Sequence, residues 1–82
     1  MIHTFILYHM NKYDEAEVSK AIMNANLGSE EEQKGQIPEA IKFYEAGLAI
    51  LQTQIVFAPL NKKPLIEIGV TFIIRLNLTR TE

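Results

Sequence analysis

The stretch Lys34–Ile55, KGQIPEAIKFYEAGLAILQTQI, decides the fold. Gly35 can end a preceding helix in the left-handed backbone conformation. Pro38 suits the first turn of a new helix, where a missing N–H costs nothing, and Glu39 complements the positive end of the helix dipole. Ala40, Ile41, Tyr44, Leu48, Leu51 and Ile55 then recur at spacings of one, three and four, which is one face of a helix. Ala40 and Gly47 put two small residues near that face, so a second helix can come close. The stretch reads as the second arm of a helical hairpin.

Toward the N-terminus, Asn11 is placed to cap a helix whose first turn holds Asp14 and Glu15. Tyr13, Ala16, Ala21, Ala25 and Gly28 follow at near-helical spacing, with Val18, Ile22 and Leu27 adding apolar bulk. Such a face favours close helix–helix contact over a large core. Ser29 to Glu32 could restart the helix as a capping box, but glutamates propagate helices well and Gly35 is the cleaner stop. One continuous helix from about Tyr13 to Lys34 is predicted. Residues 2–9 have strand-like composition, although so short an apolar run is not typed by period.

Toward the C-terminus, the second helix is predicted over Ile37–Phe57, ending before Pro59. It carries a second apolar stripe, Phe43, Ala46, Ile50 and Phe57. With the first face assigned to helix one, this stripe needs another cover, either a third element or a bound partner. These four residues are the candidate partner-binding site. Asn61-Lys62-Lys63-Pro64 reads as a turn or linker. Beyond it, Ile66, Ile68, Val70, Phe72, Ile74, Leu76 and Leu78 alternate with the residues between them, and β-branched side chains dominate. Period two predicts a strand over 66–78, which would pair with residues 2–9 to cover its edge in a β-α-α-β order. The alternative is a third helix. The fold class expected is mainly α: an antiparallel helical hairpin over 13–57, with a short N-terminal apolar segment open between strand and helix lead-in and a longer C-terminal one (60–82) open between strand and third helix, its alternation favouring β.

With 82 residues the chain makes one small domain. It has no cysteine, so neither a disulfide framework nor a thiolate metal site is available. A net charge of −2 argues against nucleic acid as the main partner. Eight of the ten acids fall in residues 1–58, beside four lysines, so the hairpin could attract a basic peptide. The apolar run Phe5–Tyr8 lacks the basic flank and length of a signal peptide, and Leu65–Leu78 is too short to span a bilayer and is broken by Glu67 and Arg75. A soluble, cytoplasmic protein without direct membrane insertion is expected.

Ala21-Ile22, Gly28, Glu30-Glu31-Glu32, Gly35-Gln36, Glu39-Ala40-Ile41, Tyr44, Gly47-Leu48, Leu51 and Ile55 together resemble a microtubule-interacting and trafficking (MIT) domain of the spastin and spartin type, without a gap over that stretch. The resemblance implies a three-helix bundle that binds short motifs at the tails of ESCRT filament subunits, in grooves lined by the third helix. Residues 60–82 depart from that helix, lacking its charged surface and alanine pattern. Leu27-Gly28, Gly35, Ala40, Tyr44 and Gly47 are also similar to one tetratricopeptide repeat. That likeness implies a scaffold fragment needing neighbouring repeats or self-association. Against it, Glu31 stands where the repeat has tyrosine and Gly47 where it has alanine.

No residues assemble a catalytic or cofactor-binding motif. His3 and His9 are six apart without a third ligand, and neither Ser19 nor Ser29 has a nucleophile-elbow context. Gly28 and Gly35 are not followed by a phosphate-loop signature, and Glu30–Glu32 reads as a solvated helix face. Tyr13 and Tyr44 read as packing aromatics. The function expected is therefore a non-enzymatic protein–protein interaction module, requiring no cofactor or metal and binding a protein or peptide.

Overall fold

The computed structural model describes residues 13–79, which form three helices: α1 (Glu15–Gln33), α2 (Ile37–Phe57) and α3 (Lys63–Thr79). No strand occurs among these residues, and none of these helices is long and apolar enough to cross a membrane. Asn11, His3, His9 and the apolar residues 2–9 lie outside the described residues.

The helix ends follow local chemistry. Asp14, not Asn11, caps α1: its backbone is extended and its carboxylate accepts from the Ala16 N–H at 2.9 Å. At the other end Gly35 takes a left-handed φ of 82°. The Gln36 N–H donates to the Glu31 carbonyl at 2.8 Å and the Gly35 N–H to that of Glu32 at 3.0 Å, which closes the helix as a Schellman motif. Pro38 sits within the first turn of α2 as expected. Ala58 ends α2 in an extended conformation, with ψ 144°, as the residue before Pro59 is biased to do. The Pro59 carbonyl accepts from the Lys62 and Lys63 N–H groups and turns the chain directly into α3.

The direction of each helix follows from which residues meet. Asp14 reaches Gln54, Ala21 lies beside Gly47, and Gly28 lies beside Tyr44 and Ala40, so numbers fall along α2 as they rise along α1. Ile73 lies beside Gly47 and Gly69 beside Leu51, so α3 also opposes α2. The helices form an antiparallel bundle with α2 at its centre, while α1 and α3 run parallel and barely touch.

The strand predicted over 66–78 is helical. The alternation that suggested it coexists with a second spacing: Ile66, Val70, Ile73 and Leu76 are separated by four, three and three residues, which is a helix face. Ile66 and Ile73 are buried on that face, and Val70 and Leu76 pack against the core. Burial there outweighs the modest β preference of branched side chains. Lys63 and Pro64 accordingly belong to the first turn of α3 and not to a linker, and the β-α-α-β order is not formed.

On α2 the buried residues are Ala40, Tyr44, Gly47, Leu51 and Gln54, with Ala58 just beyond. Their spacing of four, three, four, three and four is that of a coiled-coil seam. This seam is shared: α1 brings Ala21 and Ala25 to it, and α3 brings Ile66 and Ile73. The first face of α2 thus serves both neighbours and not helix one alone. Among the described residues, Tyr44 and Leu51 are the largest fully enclosed side chains.

Three polar or glycine positions fix how α1 lies on α2. A Cβ built on Gly28 would stand 2.6 Å from the Tyr44 ring, so the ring occupies the space that Gly28 leaves. The Tyr44 hydroxyl donates to the half-buried Glu32 carboxylate at 2.7 Å. Glu32 is therefore an anchor for the hairpin and not merely part of a solvated acidic face. At the opposite end the buried Gln54 accepts from the Asp14 N–H at 2.6 Å, tying the capped start of α1 to α2.

Candidate interaction surfaces

Because α1 and α3 both lean on α2 but not on each other, an apolar groove of about 350 Å³ opens between their N-terminal halves. Leu51 and Ile66 form its floor, and Val18, Ile22 and Leu65 its walls. Gly69 lies against Leu51 and adds no side chain to fill the space. Ile22 is 55% exposed and Leu65 64% exposed, so both walls present large apolar side chains to solvent. At the mouth, Lys62 and Glu15 form an ion pair of 3.3 Å that joins the α2–α3 turn to the first turn of α1. The pair is solvated and contributes little stability, at most about 1 kcal/mol.

A second, shallower groove of about 450 Å³ runs between α2 and α3, lined by Gln52, Ile55, Glu67, Val70 and Thr71. It places Gln52 and Ile55 of α2 beside Val70 and Thr71 of α3. The stripe singled out from the sequence lies on the other flank, since residues two apart, such as 50 and 52, are about 200° apart around a helix. There Phe43 and Ile50 are half-buried, Ala46 is exposed and Phe57 is 38% exposed. Ile50 packs against the core cluster. The four residues share a flank but do not make the α1–α3 groove.

That groove draws on residues the sequence reading treated only as bulk, Val18 and Ile22, and on Leu65, which it placed beside a strand. Their common role is invisible until α3 is known to lie parallel to α1. The fold and grooves define a three-helix antiparallel bundle with an open apolar seam. Comparison with protein families, with curated proteins and with solved structures finds no match to the chain.

Proposed function

We propose that the protein is a non-catalytic interaction module of MIT type, which binds a short peptide from an ESCRT-type trafficking protein. The observation that carries this reading is the α1–α3 groove, with Ile22 and Leu65 exposed over a floor of Leu51 and Ile66. A groove of this size takes two or three apolar side chains of an extended or helical peptide, and the Glu15–Lys62 pair sets its direction more than its affinity. The three-helix arrangement, with the third helix lining both grooves, supports MIT over the tetratricopeptide alternative, which would leave the hairpin with an open face. A cytoplasmic location belongs to the same reading.

Labelled C-terminal peptides of ESCRT filament subunits test it by fluorescence anisotropy. Binding with Kd on the order of 1–100 μM is expected for so small a contact. Ile22→Asp should weaken it at least about tenfold while leaving the helical signal unchanged, because Ile22 is a groove wall and not core. Ile50→Asp decides the role of the α2 stripe. Lost binding with the fold intact assigns the peptide to Phe43, Ala46, Ile50 and Phe57, whereas unfolding assigns Ile50 to the core. No binding of any such peptide by the folded protein would reject the ESCRT reading.

A further inference from the structure

The chain enters the bundle at the mouth of the α1–α3 groove. Tyr13 lines that groove and packs against the core cluster, so the residue just before the helix cap is fixed at the groove's end. Asp14 holds the adjoining backbone: its N–H donates to the buried Gln54, and its own conformation is extended, with φ −141° and ψ 112°. A helix capped in this way sends the preceding chain off its axis. Twelve residues precede Tyr13, MIHTFILYHMNK, and they hold no acid. Phe5-Ile6-Leu7-Tyr8 among them is a run of four large apolar side chains without a charge.

We infer that Phe5–Tyr8 is the resident occupant of the groove, folded back over Ile22 and Leu65, and that an external peptide must displace it. Tether length and chemistry both select this segment. Tyr8 is five residues from Tyr13 and Phe5 eight, so the link spans at most about 17 to 28 Å. Ile22 lies seven residues beyond Glu15, only about 10 Å along α1. The link is long enough to turn back and short enough to keep the run at the groove. Its effective concentration there is on the order of millimolar, well above that of a free peptide. No charged side chain has to leave water when the run enters. The exposed parts of Ile22 and Leu65 supply the apolar area that it covers. Displacement of the run by an external peptide rests on the trafficking reading above; its docking does not.

NMR of the full chain tests the inference. Nuclear Overhauser contacts are expected from protons of Phe5–Tyr8 to methyl groups of Val18, Ile22 or Leu65. They should vanish in the Ile6→Asp/Leu7→Asp double variant, and the Ile22 and Leu65 methyl signals should shift, while the helical circular dichroism stays that of the parent. Adjacent positions are changed so that both sides of the run are covered. In a mixture of isotope-labelled and unlabelled chains the contacts should arise only within a chain. The C-terminal peptides of ESCRT filament subunits should bind the double variant at least about threefold more tightly than the parent. Absence of the contacts, contacts only between chains, or groove methyls indifferent to the double variant overturns the proposal. The trafficking reading survives that result if the peptides still bind. Equal peptide affinity for parent and variant overturns the displacement. Contacts within the chain while no peptide binds either form support the docking and reject the trafficking reading instead.

Discussion

Tyr44→Ala should leave the chain largely unfolded at room temperature. Among the described residues Tyr44 is the largest fully enclosed side chain, and its ring fills the space over Gly28. Truncating a buried aromatic costs about 3–5 kcal/mol when the site cannot collapse. Here it cannot readily collapse, because Ala21, Ala25, Ala40 and Gly47 around the seam have no length to move into the gap. A domain this small has roughly 5 kcal/mol to lose. Tyr44→Phe separates the hydroxyl from the ring: it removes the bond to Glu32 and should cost about 1 kcal/mol. Thermal melts followed by circular dichroism measure both. A Tyr44→Ala midpoint within a few degrees of the parent would mean that the ring is not what holds α1 to α2.

Gly47→Leu should be nearly as damaging by the opposite route. A Cβ at this position would come within 2.9 Å of the Ala21 backbone oxygen, 3.3 Å of the Ile73 side chain and 3.4 Å of Asn24. Ile73 can turn aside, but a backbone oxygen held in α1 cannot, so α1 must shift along its length. Overpacking of this kind typically costs about 1–3 kcal/mol, and contact on both sides puts this site at or above the upper value. Gly47→Ala should lie between the two, since the gain in helix propensity of about 1 kcal/mol offsets part of the clash. Urea titration gives the order directly: the midpoints should fall from Gly to Ala to Leu. Equal midpoints for all three would place the closest approach of α1 and α2 elsewhere.

The parts of the fold legible in the sequence are those set by neighbours along the chain. Gly35 and Pro38 mark the end of α1 and the start of α2 because glycine alone takes a left-handed φ without strain and proline fixes its own φ, and α2 falls over the predicted Ile37–Phe57. The small residues at 21, 25, 28, 40 and 47 announced a close helix pair, and they make one. What was not legible depends on partners distant in sequence. Residues 66–78 satisfy period two and a helical face at once, and the burial of Ile66 and Ile73 against the α2 seam decides between them. Glu32 and Gln54 look like surface polar residues until Tyr44 and the Asp14 N–H are seen to end on them. The α1–α3 groove was hidden for the same reason, because it belongs to two helices that contact each other little.

The seam of alanine and glycine between α1 and α2 also bears on how the protein responds to temperature. Ala21, Ala25, Gly28, Ala40 and Gly47 surrender almost no rotamer freedom on folding, and they bring backbone to backbone instead of withdrawing long apolar side chains from water. Unfolding should thus expose comparatively little hydrocarbon and absorb less heat capacity than the usual 12–15 cal/mol/K per residue, about 10 or below by differential scanning calorimetry. A value at or above the usual range would contradict this. With a small heat-capacity change the stability curve is broad and shallow, so the hairpin should weaken little on cooling and keep similar strength across the temperatures at which a cell lives.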